Sequence, residues 1–497
     1  MKNNWFYRYN FHFHIGDFVH FLPVVSGVLL ILTLPPLNLS LLSWIALVPL
    51  LFYIKNNHVT PRQSFQGGFF TGFIYFARIT YPLLSLNAWG WFNVTGSVHE
   101  NKILLLFWVL YFATVLTGTI FGSFCFLYRR FGSKKMVHAI LFAVLWVLFE
   151  FFRAKILLGF TWGHLGYSLH NEISILQLAG VFGVYGLSFL IVLVNFLGYF
   201  FVRDTSLFVK KKGWLVHDKV SFSRIILWNR FFLLLIVILS GAYITGVFLG
   251  NHRNSQPREG SLRTTVIQPV SMQFDRAAHL ALIKEAFAEN PDLIVSPTGA
   301  FLSLIIDRTT NLPVGYDNDP AIKNFYDQLR NLSLEHPRSS FVIDMPTIDT
   351  FGKYESMIIL EKGEIAGIYD KIYLMPFSES LFSDTKIKPG GENQHALIHG
   401  VPVIPLICSE VIFPELLKKR DTIQDGFIIN IGTDGVFDSP LVAEQDHIMA
   451  ILRAVESGKY LVRAMNTGIS SVIDPLGREL VKTRVGVRGE FSTFVSY

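Results

Sequence analysis

Seven apolar stretches crowd the first half of this chain, at 20–34, 39–54, 65–86, 103–127, 137–152, 173–202 and 231–249, and none follows them. A helix needs about 20 apolar residues to cross a bilayer, so the first 250 residues read as a multi-span α-helical membrane bundle. The chain as a whole is 51% hydrophobic and only 16% charged, a membrane-protein balance that comes almost entirely from that half. Two regions built for different solvents are implied. The first two stretches are short and separated by Leu34-Pro35-Pro36, a spacing that also fits one re-entrant hairpin. Seven spans are expected.

A formal charge of +6 can point to nucleic acid, but where the charges fall gives them another meaning. Basic residues gather in alternate connections: Lys2 and Arg8, then Lys55 and Arg62, then Arg129, Arg130, Lys134 and Lys135, then seven between Arg203 and Arg230. The positive-inside rule places such connections in the cytoplasm, which puts the N-terminus there and, after seven crossings, everything beyond residue 250 on the far side. Lys210-Lys211-Lys212 also suits anionic lipid. The first apolar span has no small-residue cleavage site and runs at once into a second, so no cleavable signal peptide is expected. Within the spans, Arg78, Glu150 and Arg153 are costly in hydrocarbon; they read either as a snorkelling arginine and an i,i+3 ion pair or as a path for a lipid headgroup or an amine. Trp89 and Trp91 suit an interfacial belt.

From about residue 261 the pattern changes to alternating strands and helices. Extended segments are predicted at 262–270, 292–296, 340–345, 357–361, 365–370, 402–408, 427–431, 460–463, 469–473 and 491–496, with helices at 277–288, 321–334 and 442–457. That order gives an α/β domain over 261–497, joined to the membrane domain (1–250) by a polar linker at 251–260 that carries Pro257 and Gly260. Of two cysteines, Cys125 falls in a span and Cys408 in the far-side domain, so no disulfide within either domain is possible. A lone thiol is most often a small buried hydrophobe. It is a nucleophile only where a base or a cation supports it, so the neighbours of Cys408 decide its meaning. No metal-ligand spacing stands out among the dispersed histidines, His12 and His14 included, and no phosphate-binding glycine loop or other cofactor motif is present.

Gln268-Pro269, Tyr369-Asp370-Lys371 followed by Leu374-Met375-Pro376-Phe377-Ser378-Glu379, and Ile407-Cys408-Ser409-Glu410 resemble the nitrilase superfamily of carbon-nitrogen hydrolases. Joined to a multi-span half with Gly159-Phe160-Thr161-Trp162 and Gly166-Tyr167-Ser168, and to Arg463, Asn466 and Gly468, the set resembles the apolipoprotein N-acyltransferases. The resemblance implies an αββα nitrilase-like sandwich docked on a membrane bundle in the bacterial inner membrane, with the sandwich periplasmic. It also implies a two-step acyl transfer. A membrane phospholipid donates an acyl chain to the cysteine as a thioester, and the N-terminal diacylglyceryl-cysteine amine of an apolipoprotein accepts it. Cys408 would be the nucleophile, Lys371 would stabilise thiolate and oxyanion, Glu379 would orient donors or hold the amine, and Glu410 would support the site. If the strand through Cys408 continued, Glu410 would share the thiol's side.

Several positions depart from the family pattern. The general-base glutamate of a Trp-Pro-Glu-containing segment falls on Thr298, in Leu293-Ile294-Val295-Ser296-Pro297-Thr298-Gly299, and a threonine hydroxyl accepts no proton near neutral pH. Ser409 stands where an aromatic is usual, and Gly432-Thr433-Asp434-Gly435-Val436-Phe437 replaces an Asn-Asp-x-Trp-Phe-like stretch. The chain ends at Tyr497 without the family's last membrane helix. These departures leave a second reading beside the acyltransferase, a noncatalytic homologue that binds lipid or lipoprotein.

Overall fold

The computed structural model describes residues 19–84, 97–133, 135–157, 159, 161–212, 230–256, 258–269, 276–299, 304–375, 387–391, 396–420, 426–434 and 439–497. Glu379, His12, His14, Trp89, Trp91 and the Gly435-Val436-Phe437 stretch lie outside the described residues, as do the side chains of Lys210, Lys211 and Lys212. The chain divides into two compact units, one of Met1–Arg78, Tyr111–Phe149 and Phe189–Leu239, the other of Ile79–Leu110, Glu150–Ser188 and Ser240–Tyr497.

Every apolar stretch holds helix. Among the described residues four helices are long and apolar enough to cross a membrane, at Leu110–Phe131, Met136–Ile156, Ala179–Thr205 and Arg230–Asn254, while Val19–Leu32 and Ser40–Lys55 are shorter apolar pieces. The helix Pro61–Thr80 has twenty residues but carries Arg62, Gln63, Gln66 and Arg78. In an apolar medium each backbone group freed by a break needs a partner. In the first unit Asn195 supplies partners to the Ser40–Lys55 piece, accepting from Leu47 N and donating to the Ser43 carbonyl, both at 2.8 Å. Arg78 donates to the Pro35 carbonyl at 2.8 Å.

Helices in lipid associate through close packing, since the tails are as apolar as the side chains. Here the approach is reciprocal between Pro61–Thr80 and Ser97–Phe131. A methyl on Gly68 would stand 2.6 Å from the Phe121 carbonyl oxygen and 2.5 Å from Cys125 Sγ, and one on Gly122 would stand 2.8 Å from the Phe65 carbonyl oxygen. Cys125 is fully buried at this contact, which explains the membrane cysteine as packing. Backbone cannot step aside, so Gly68→Leu is expected to cost about 1–3 kcal/mol of overpacking and to lower the unfolding midpoint of the detergent-solubilised chain. Gly241, with nothing within 4 Å of an added methyl, provides the control; equal midpoints for Gly68→Leu and Gly241→Leu would refute the close approach.

Among the described residues the second unit has sixteen strands: β1 (Ser261–Gln268), β2 (Leu293–Val295), β3 (Ile306–Asp307), β4 (Leu312–Pro313), β5 (Ser340–Asp344), β6 (Thr347–Ile348), β7 (Lys353–Tyr354), β8 (Ser356–Glu361), β9 (Glu364–Asp370), β10 (Ala396–Ile398), β11 (Val401–Ile407), β12 (Phe427–Gly432), β13 (Leu461–Met465), β14 (Ser471–Ile473), β15 (Glu479–Lys482) and β16 (Gly489–Ser496). They form two six-stranded sheets, ordered β16-β1-β2-β5-β8-β9 and β10-β11-β12-β13-β14-β15, and a small sheet β4-β3-β6-β7. The period-2 alternation of strands sorts their residues. Val295, Val342, Met357 and Tyr369 of the first sheet meet Val403, Ile407, Ile429, Ile431 and Val462 of the second in one core, while Ile294, Phe341 and Ile358 turn outward onto Leu280, Ile283, Phe325 and Leu329 of the helices Arg276–Ala286 and Pro320–Glu335. The helix Pro440–Ser457 lies against β13 on the outer side of the second sheet. This is the αββα sandwich. Short pieces such as β3, β4, β6, β7, β10 and β15 and the helix Pro414–Arg420 add to the pattern expected from sequence.

Helices from the first half close on this sandwich within the same unit. The helix Ala179–Lys212 is interrupted at Gly183, whose φ is 66°, and the Val184 N–H freed there donates to Glu456 Oε1 at 2.9 Å. Arg253 donates to the Val455 carbonyl at 2.9 Å, and Gln177 to the Leu476 carbonyl at 2.8 Å.

Candidate active site

β11 carries the candidate nucleophile. Its residues are apolar because the strand pairs with β10 and β12 and is covered on both faces. At Cys408 the ladder stops: φ is 51°, a left-handed conformation that residues other than glycine seldom hold, and the chain turns at once into a short 3-10 helix, Cys408–Ile412. The turn leaves Cys408 half-buried while Ser409 and Glu410 are buried. Surrounding groups hold the strain in place. Asn430 Nδ2 donates to the carbonyls of Leu406 and Cys408 at 3.2 and 3.3 Å, and Gly432 comes so near that a methyl there would lie 3.1 Å from Cys408 Cα.

Because the strand does not continue, Glu410 does not follow the thiol's side as a β-strand would carry it; the turn sends its carboxylate inward. It is fully buried and accepts four hydrogen bonds: from Ile407 N at 2.7 Å, Tyr369 Oη at 2.8 Å, Ile372 N at 2.7 Å and Tyr373 N at 3.1 Å. One end belongs to the strand that leads to Cys408 and the other to the segment bearing Lys371. Burial pushes the Glu410 carboxyl above its ordinary range, although the backbone donors and the Lys371 charge pull it down; desolvation outweighs them. With each oxygen engaged twice, this carboxylate is a brace and no general base.

Lys371 follows β9 and is fully buried. Its N–H donates to the Glu355 carbonyl at 2.9 Å, its carbonyl accepts from Gly390 N at 2.8 Å, and its Nζ lies 3.6 Å from Glu355 Oε2. Thr298, just past β2, is buried, and its carbonyl accepts from Asn466 Nδ2 at 3.3 Å. Asn466 N in turn donates to the Gly432 carbonyl at 3.1 Å, next to the nucleophile turn. Behind Asn430 stands Arg463, which donates to its Oδ1 and lies 3.6 Å from Asp434 and 3.7 Å from Asp446. The structure thus joins the surroundings of Cys408, Lys371, Thr298 and Glu410 through named hydrogen bonds.

Comparison with known proteins matches residues 26–197 to the apolipoprotein N-acyltransferase N-terminal domain and residues 338–486 to the carbon-nitrogen hydrolase domain. An apolipoprotein N-acyltransferase of Geobacter metallireducens is 29% identical over 489 residues, covering 92% of this chain and 85% of its own length. One from Thermotoga maritima is 26% identical, with 95% and 87% covered. Along nearly its whole length the chain is similar to the apolipoprotein N-acyltransferases. Among solved structures, Nit3 of Saccharomyces cerevisiae, a nitrilase superfamily member, is similar over 49% of this chain and 92% of its own, at 16% identity and a TM-score of 0.39.

These matches support a membrane acyltransferase with a carbon-nitrogen hydrolase domain. The late residues of the family pattern gain a physical account: Arg463 props Asn430, which holds the Cys408 carbonyl, and Asn466 ties Thr298 to the same turn. Sequence reading assigned no role to Asn430 or Glu355, and Tyr369 entered only as part of a motif. For Asn430 a signal existed, a lone amide inside the apolar run Phe427-Ile428-Ile429-Asn430-Ile431.

Two outcomes follow for this scaffold. Glu410→Gln places an amide NH2 where only acceptors fit, so buried donors lose their partner at about 1–3 kcal/mol each; a lower unfolding midpoint and loss of Cys408 reactivity are expected together, and an unchanged midpoint would remove the brace. Asp446 is pushed up to about 7 by burial and by the Asp434 charge, with Arg463 opposing. A carboxyl whose folded pKa exceeds its unfolded value of about 3.9 keeps a proton that the unfolded chain has lost. Its contribution to stability therefore falls as pH rises from about 4 to about 7. Asp446→Asn should flatten that part of the stability profile; a profile of unchanged slope would contradict the assignment.

Proposed function

We propose that this chain transfers an acyl chain from a membrane phospholipid to the N-terminal diacylglyceryl-cysteine amine of an apolipoprotein, through a thioester on Cys408. The reading places it in the bacterial inner membrane with the sandwich on the periplasmic side. The observation that carries it is a thiol on a left-handed turn, braced by Glu410 to the segment of a buried lysine, in a chain whose two halves match the two modules of the family.

The chemistry follows from what these groups can do. The Cys408 thiolate attacks the ester carbonyl of the phospholipid; the S–C bond forms, the C–O bond breaks, and the lysophospholipid oxygen leaves with a proton. The amine then attacks the thioester, the C–N bond forms, and the thiolate is released as the amine gives up its proton. Both tetrahedral intermediates carry an oxyanion that a fixed ammonium stabilises most where water is excluded. Lys371, buried and held by backbone at both its N–H and its carbonyl, takes that role. Glu379 orients donors or holds the incoming amine, and Glu410 keeps nucleophile and lysine in register. Both substrates are lipid-anchored, which accounts for a catalytic domain carried on membrane helices.

Full-length protein in mixed micelles with a phospholipid bearing a traceable acyl chain is expected to acquire a hydroxylamine-labile label that Cys408→Ala abolishes. A peptide with an N-terminal diacylglyceryl-cysteine should then clear the label. If no label forms under conditions where a family relative labels, the phospholipid reading fails and a noncatalytic binding role takes its place.

A further inference from the structure

Thr298 deprives this chain of a carboxylate at the position the family pattern assigns to the general base, yet a carboxylate stands beside the lysine. Glu355 Oε2 lies 3.6 Å from Lys371 Nζ, with the lysine side chain wholly buried and the glutamate 15% exposed. The juxtaposition is built by the hairpin. β8 and β9 pair antiparallel as far as Ser356 and Asp370, and the Lys371 N–H bond to the Glu355 carbonyl at 2.9 Å carries the ladder one residue further. Opposed side chains in such a pair share a face. Met357 and Tyr369, two residues inward on each strand, belong to the core between the sheets, against which Cys408 packs, so Glu355 and Lys371 extend the row on the nucleophile's side. Asp344 falls on the same face by alternation from Val342, but its carboxylate accepts from Gly299 N at 3.2 Å.

We propose that Glu355 is the carboxylate that serves Lys371 during acyl transfer, doing from β8 what a glutamate at position 298 would do from β2. This rests on the acyltransferase reading above. As the thiol is consumed, Cys408 gives its S–H proton to the Lys371 amine while Lys371 passes an ammonium proton to the Glu355 carboxylate. Lys371 thus remains cationic beside the new thiolate, and Glu355 becomes neutral. The reverse relay protonates the departing lysophospholipid oxygen, and a second forward relay takes the proton of the attacking amine. Glu355 acts through Lys371 and is a positioning and proton-holding residue.

The test uses the full-length chain in detergent with a p-nitrophenyl fatty ester, which acylates the thiol without a phospholipid or a lipoprotein; Cys408→Ala defines the background. Wild type is expected to release a burst of p-nitrophenolate whose rate rises along a carboxylate limb on the acid side. Glu355→Gln should lose about 100-fold or more in burst rate together with that limb, and adding Thr298→Glu to it should restore both. Glu355→Asp, which keeps the charge, should retain the limb at reduced rate and serves if Glu355→Gln folds poorly. A burst in Glu355→Gln within roughly threefold of wild type, or a slow burst with the acid limb intact, would overturn the proposal. So would a silent wild type that Thr298→Glu alone awakens. A burst dependent on Glu355 with no labelling by phospholipid supports Glu355 and refutes the phospholipid donor, which separates the two readings.

Discussion

Glu410 is the constraint on which the rest of the site depends. Taking a carboxylate out of water costs several kcal/mol even after relaxation, and its donors recover part of that cost. An ionised carboxylate has acceptor capacity for four donors and nothing to donate, and four donors are what it meets: two from the end of β11 and Tyr369, two from Ile372 and Tyr373. The brace ties one sheet to the other at the point where both chains leave their strands. Cys408 and Lys371 are thereby held in place, the condition under which, in the proposed reaction, an ammonium stabilises an oxyanion without reorganising.

A second set of polar groups ties the lipid-side helices of the same unit to this turn. Glu150 accepts from Leu165 N at 2.9 Å and Arg153 donates to the Trp162 carbonyl at 2.8 Å, so these two ionisable residues near the end of Met136–Ile156 shape the loop that follows it. Within that loop Thr161 donates to the Ile412 carbonyl at 2.8 Å, the last residue of the nucleophile turn. Gly159 is held at a φ of 90° where a methyl would strike the Phe413 ring. Gly159 and Thr161 therefore pack the loop after that helix onto the turn at Cys408–Phe413. The loop's polar residues are costly in lipid and are spent on position.

The fold was legible wherever a period was. Apolar runs of helical length and alternating strands in the second half marked nearly every long element within a few residues, because burial imposes those periods directly. Cys408 and Lys371 were legible as residue types in a motif. What could not be read was geometry created by irregularity. The inward course of Glu410 follows from the left-handed φ at Cys408, and no local pattern announces that a cysteine will adopt it. Glu355 was hidden by a single register shift. A hairpin through the Lys362-Gly363 turn pairs Glu361 with Glu364 and Leu360 with Ile365, and an unbroken ladder would go on to set Glu355 against Asp370. The irregularity between Ile359 and Leu360 moves the register by one, and only then does Glu355 face Lys371.

That shift bears on why the loss of a glutamate at 298 need not empty the site of charge. In the first sheet the order is β2-β5-β8-β9, and the ends of β2, β5 and β8 near Lys371 bring Thr298, Asp344 and Glu355 to one margin of the sandwich. Asp344, two residues beyond the inward Val342, and Glu355, two residues before the inward Met357, face the space between the sheets by alternation. The buried ammonium needs a negative partner, since an isolated charge in that environment is penalised heavily, but this requirement sets a distance and does not name a strand. Of the carboxylates on this margin, Asp344 is turned to Gly299 N and Glu410 is saturated by its four donors. Glu355 alone among these three lies within ion-pair distance of Lys371, and it has enough exposure to exchange a proton as the reaction proceeds. In the proposed relay, the electrostatic demand of the lysine and the register of one hairpin together account for a threonine at 298 beside a thiol that is activated at Cys408.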